Sequence, residues 1–161
     1  MNTVKQDTTI NIFAKTLGQE CVAMRIRTIS RVVSRIYDEA LRPHGIKATQ
    51  LSILAVVSIL GQAEPSEICR MLHLETSTLS RNMSRMRTKG WLRVSPRKDR
   101  RAHRVKVTPR GNRILIEAFP AWREAQEKAT SLLGKRNAGA IGRIAKKLWR
   151  KTGKGKRTLF F

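Results

Sequence analysis

A chain of 161 residues is long enough to bury one substantial core, and a net charge of +23 speaks about partners rather than about fold. Met1 to Gln19 lacks the cationic start and long apolar segment of a secretion signal, and no run of about 18 apolar residues occurs anywhere. A membrane protein is therefore not expected, and a cytoplasmic one is.

The charge is focused. From Arg81 to Arg113 there are thirteen Lys or Arg against one acid, Asp99, and Lys135 to Arg157 adds ten with no acid. A polyanion is the obvious partner. Cys21 and Cys69 match no disulfide framework or zinc spacing, and His44, His73 and His103 are scattered. No metal, cofactor or catalytic set is expected, and the chain does not read as an enzyme.

Residues 1–20 are polar with a few apolar positions and read as an N-terminal arm. From Cys21 the pattern sharpens. Val22, Ile26, Ile29, Val33, Ile36 and Ala40 recur at spacings of three and four, which predicts a helix over about 21–42. Arg42-Pro43-His44-Gly45 ends it. Thr49 suits an N-cap for a helix over Gln50 to Leu60 that leaves almost no polar face, and so lies centrally. Gly61 ends that helix.

Glu64 to Thr108 is the most informative stretch. Pro65 to Leu72 is a compact amphipathic helix with proline at its first position, closed by His73-Leu74. A second helix runs from Glu75 to Arg87, with Leu79, Met83 and Met86 on one stripe facing a core. Its other face carries Ser77, Thr78, Arg81, Asn82 and Arg85, short hydrogen-bonders and long cations that suit base edges and phosphates, with Ser80 and Arg81 placed nearer phosphates. Trp91 to Ser95 and Arg104 to Thr108 alternate like strands around Pro96 to His103. That loop holds Arg97, Lys98, Arg100 and Arg101 with the single acid Asp99, and ends on His103. Helix, turn, polar-faced helix and basic hairpin in this order predict a winged helix-turn-helix that binds double-stranded DNA.

Thr108-Pro109 should start a long helix through Leu115, Phe119 and Trp122, bent at Pro120 and ended by Gly134. A last helix is expected over Ala138 to Trp149, with Ile141, Ile144, Ala145 and Leu148 on one stripe. Residues 151–161 read as a basic tail. The fold class is therefore mainly α with a small β-hairpin wing (α+β). The DNA-binding lobe lies at about 48–108, between long helices at about 21–42 and 109–150. One winged domain has too little surface to cover every apolar stripe on those outer helices. A second copy would cover them, as would a folded-back helical lid; two-fold homodimers are the commoner solution.

This layout resembles the MarR family of bacterial transcriptional regulators. Asp99-Arg100-Arg101-Ala102 followed by Val105-Lys106-Val107-Thr108-Pro109-Arg110-Gly111 is similar to the family's wing signature. Ser77-Thr78-Leu79-Ser80-Arg81 resembles the start of its recognition helix, and Asp38 to Ile46 with Gln50 its first inter-helix joint. His73 stands where the family often has a small residue such as glycine. The resemblance covers Cys21 to Trp149 and implies a homodimer whose recognition helices enter successive major grooves of a near-palindromic operator. It implies that Arg101 enters the minor groove and that Asp99 orients it, which a carboxylate can do by holding an Arg fork; as a residue type, Asp99 also fits a plain turn. It further implies repression released by a small effector. Some MarR-type peroxide sensors carry a reactive cysteine at the position of Cys21, but their tyrosines on the next helix are replaced here by Lys47 to Leu51. A different class of function, an architectural nucleic-acid binder driven by charge alone, is also compatible with the composition.

Overall fold

The computed structural model describes residues 2–96 and 103–152. The chain divides into two compact units, Met1–Arg35 and Ile36–Phe161.

In the first unit, helix α1 spans Asn2–Glu20 and helix α2 begins at Val22 and continues to Leu41. The expected arm is thus a helix. Residues 2–17 contain neither proline nor glycine, and Ile10, Phe13 and Leu17 recur at helical spacing, so nothing in the segment opposes one. Cys21 joins the two helices without breaking the hydrogen-bond ladder: its amide donates to the Leu17 carbonyl (3.1 Å), and the Arg25 amide donates to its own carbonyl (3.2 Å). Ile10, Phe13, Leu17, Val22, Ile26 and Ile29 are all exposed in the single chain.

The second unit is built around α3, Ala48–Leu60, the central helix expected from its all-round apolar sequence. Ile53, Leu54, Val56 and Val57 are fully buried on it. Each such side chain contributes about 1.5–3 kcal/mol by leaving water. Around α3 lie α4 (Pro65–Leu72), α5 (Thr76–Thr88), strands β1 (Leu92–Pro96) and β2 (His103–Val107), and α6 (Pro109–Leu133). Ile68, Leu79, Met86, Trp91, Leu92, Val105, Ile114 and Ala118 complete one contiguous core. A final helix, α7 (Lys135–Thr152), packs on α6.

The boundaries of α3 and α7 differ from the sequence expectation. Helix α3 starts at Ala48 with Lys47, not Thr49, at the N-cap position. Its first amides are satisfied from elsewhere: Asp38 Oδ1 on α2 accepts from the Ala48 amide (2.8 Å), and Gln50 Oε1 accepts from the Lys47 amide (3.2 Å). Because two carboxylate or amide oxygens supply the cap, Thr49 is not needed for it. Helix α7 starts three residues earlier than Ala138 and takes in Lys151 and Thr152 of the expected tail, since no breaker lies between Lys135 and Thr152 except tolerated glycines. Helix α6 remains a single helix through Pro120.

The turn after α4 explains an oddity of sequence. His73 has φ 49°, the one left-handed non-glycine backbone among the described residues. Its amide and that of Leu74 both reach the Cys69 carbonyl, a helix-ending arrangement that usually favours glycine.

Candidate nucleic-acid interface

The candidate surface is assembled from the inside out. On α5, Leu79 and Met86 sink into the core and Met83 is half-buried. The helical period then turns Ser77, Ser80, Arg81 and Arg85 to the exterior, with Thr78 and Asn82 at its margin. These are the positions expected to touch DNA. Two of the side chains fold back along their own helix: Arg81 Nε donates to the Ser77 carbonyl (3.2 Å) and Asn82 Nδ2 donates to the Thr78 carbonyl (2.9 Å). Such bonds hold the side chains ready at low cost, and each can be exchanged for a bond to a phosphate or a base edge.

The hairpin is antiparallel, running from Leu92 opposite Val107 at its base to Pro96 opposite His103 at its outer end. It is one rung longer at that end than the sequence suggests, placing His103 in a strand rather than in the loop. Proline is tolerated at the last position of an edge strand, where it removes only one donor. His103 is exposed there, together with Arg93 and Lys106 further down the strands. The expected wing-tip residues Arg97, Lys98, Asp99, Arg100 and Arg101 lie outside the described residues.

The base of the hairpin is tied on both sides. Ala63 pairs with Val105 through two backbone bonds of 3.0 and 2.9 Å, a bridge that the sequence pattern does not reveal because Gly61-Gln62-Ala63 is too short to alternate. On the other side Thr108 caps α6, as expected: its Oγ1 accepts from the Gly111 amide (3.0 Å) and donates to the Gly90 carbonyl (2.6 Å). Gly111 is buried against the Trp91 carbonyl. These bonds weld the last turn of α5, the wing base and the start of α6 into one piece.

Further polar links missed by sequence reasoning lie around the α2–α3 joint. Tyr37 donates its hydroxyl proton to Gln126 Oε1 on α6, and burial raises the phenol above its ordinary pKa, so it remains a donor at neutral pH. Lys89 donates to the Gly45 carbonyl and lies over the Trp91 ring. Nothing in the local pattern could have announced the two hydrogen bonds, because they join residues 89 and 44 positions apart.

Cys21, weighed as a redox residue, does not stand at a free helix start. It sits half-buried at the α1–α2 junction, with the carboxyl end of α1 directly against it. Among the described residues no three His, Cys, Asp or Glu lie together as a metal site. No single described helix is long and apolar enough to cross a membrane.

Residues 44–102 match the model of the MarR family. The HTH-type transcriptional regulator PecS of Dickeya dadantii is 30% identical over 139 residues, covering 76% of this chain and 81% of that protein. The multiple antibiotic resistance protein MarR of Salmonella typhimurium is 31% identical over 90 residues, 55% of this chain; the match spans only 62% of that relative's length. Among solved structures, the transcriptional regulator MosR of M. tuberculosis in complex with DNA is 34% identical, with a TM-score of 0.66 over 80% of this chain and 98% of that one. A mutant E. coli MarR complexed with operator DNA shares the fold, with a TM-score of 0.72 at 22% identity over 83% and 96% of the two chains. With PecS matched at 30% identity over four fifths of its length, and residues 44–102 fitting the family model, the chain belongs to the MarR family of winged-helix regulators.

Proposed function

We propose that this protein is a sequence-specific DNA-binding transcriptional regulator, a repressor acting in the cytoplasm as a homodimer on a near-palindromic operator. The observation that carries the reading is α5: Leu79 and Met86 on its apolar side are sunk in the core, and its outer face offers Ser77, Thr78, Ser80, Arg81, Asn82 and Arg85 beside a basic hairpin. The DNA complex of MosR, at 34% identity, supports the same use of the fold. Exposed apolar residues on the outer helices support the homodimer. They include Val22, Ile26 and Ile29 in one unit, and Phe119, Ile141 and Ile144 in the other. Soluble proteins rarely leave such stripes uncovered. A cleft of about 280 Å³ lined by His44, Trp91, Arg110, Arg113, Ile114 and Glu117 supplies room and net positive charge for a small anionic effector that releases the DNA.

The charge of +23 favours a second reading, an architectural binder held by phosphates alone. The two part company in salt. Non-specific affinity falls steeply as counterions compete, whereas base contacts persist. Fragments selected from the organism's own genome should be bound at about 150 mM salt at least about a thousandfold more tightly than random duplex. A ratio near one would leave only the architectural reading.

The wing provides a sharper test. Arg101→Ala should weaken operator binding by about 1–3 kcal/mol, most of all for A·T-rich flanks whose narrow minor groove attracts arginine. Asp99→Ala should show part of the same loss although it removes a charge that repels DNA. Simple charge arithmetic predicts the opposite sign, so tighter binding by Asp99→Ala would reduce the wing to a cationic flap.

A further inference from the structure

Lys89 is an exposed residue whose contacts are unusual for one. It stands at the C-cap of α5, its amide bonded to the Arg85 carbonyl (3.1 Å). Its ammonium group donates to the carbonyl of Gly45 and lies 4.5 Å from the centre of the Trp91 ring. Gly45 is the left-handed residue (φ 64°) that closes the 3-10 turn Arg42–His44 between α2 and α3. Trp91 is itself bonded at both ends, its amide to the Met86 carbonyl (2.9 Å) and its carbonyl to the Thr108 amide (3.0 Å). One cation therefore touches the far end of the reader helix, the joint at which α2 hands over to α3, and the base of the wing.

Both contacts require a positive hydrogen-bond donor. The carbonyl needs the donor, and the ring face needs the charge. A merely apolar side chain would cover Trp91 but release Gly45. Twelve residues at 1.5 Å rise separate Lys89 from Ser77, about 18 Å along the helix, so Lys89 is remote from the base-reading end. It is suited to fixing the helix, not to reading.

We propose that Lys89 is a positioning residue that clamps the recognition helix to the α2–α3 joint and so makes the dimer selective for the distance between operator half-sites. The proposal rests on the dimeric DNA-binding reading above. Half-sites read by a two-fold dimer lie about 34–36 Å apart, and one added base pair lengthens that distance by about 3.4 Å along the axis while turning the groove. A reader helix held at both the core and the joint cannot follow such a shift. Released from the joint, α5 and the wing base bonded to it can swing towards it as one piece.

The test uses full-length protein and the best operator recovered from its genome. Two further duplexes carry one base pair inserted or removed at the centre. Anisotropy titrations at about 150 mM salt compare wild type, Lys89→Met and Lys89→Arg. Wild type should bind the altered duplexes at least about thirtyfold more weakly than the original, the cost of strained or lost base contacts. Lys89→Met should bind the original operator about threefold to tenfold more weakly, as expected for one cation–π and hydrogen-bond clamp, and should lose most of its discrimination against the altered spacings. Lys89→Arg, which keeps charge and donors, should behave as wild type.

Equal weakening of all duplexes by Lys89→Met, with a salt slope smaller by about one, would make Lys89 a phosphate contact and overturn the proposal. Unchanged discrimination would overturn it as well, whether or not the melting temperature falls. If wild type selects an operator but ignores spacing, this proposal alone fails. If wild type selects no operator at all, the regulator reading fails with it.

Discussion

Gly111→Ala should destabilise the fold by about 3 kcal/mol, at the upper end of the usual cost of overpacking, and should read as a lower denaturant midpoint in urea. A Cβ at this position would lie 2.2 Å from the Trp91 carbonyl oxygen and 2.7 Å from Val107 Cγ1. Neither neighbour can yield cheaply. The Trp91 carbonyl is the acceptor of the Thr108 amide, and the peptide that precedes it carries the bond to Met86. Moving it would pull the wing base from α5 and from the cap of α6 together. The buried glycine is thus required by a close backbone approach, not by a left-handed conformation. An unchanged midpoint would show that α6 can slide away from the wing, and the description of a welded base would have to be abandoned. Because α5, the proposed reader helix, is part of that base, operator affinity should fall with stability.

The second large effect, which rests on the proposed homodimer, is expected at Ile144→Glu. Ile141 and Ile144 are exposed on one side of α7 in the single chain, at 43% and 58%. A glutamate placed in an apolar interface must shed its hydration without gaining a partner. The variant should therefore show the monomer mass of 18.3 kDa by light scattering at micromolar concentration. Its operator affinity should drop by about two to four orders of magnitude, because two linked readers gain that much from effective concentration. Its binding to a single half-site should be preserved, since α5 and the hairpin are untouched. A variant that stays dimeric would place the interface on other residues, such as Val22, Ile26 and Ile29. One that loses half-site binding has lost its fold and not its partner, a distinction that its melting curve would register.

The sequence by itself determined the elements and most of their limits. Pro65 to Leu72 is a helix as its spacing requires, and Leu79 and Met86 face the core as their stripe predicts. Thr108-Pro109 opens α6 with the cap that those residues form locally. All of these depend on neighbours within about one helical turn, which a single sequence displays. The exposed polar face of α5 was legible for the same reason: burying one side of a helix dictates what the other side offers. What only the tertiary structure decided involves partners far apart in the chain. Asp38, and not Thr49, supplies the distant oxygen at the start of α3, and Ala63 adds a bridge to a two-stranded hairpin. Lys89 finds Gly45, and Gly111 meets the Trp91 carbonyl. The α1 helix lies between these cases, since its residues permit a helix but carry no cap or turn signal that demands one. Local periodicity states which face of an element seeks cover. It holds no record of which backbone atom will stand opposite once the elements meet, because that depends on packing distances a few tenths of an ångström wide.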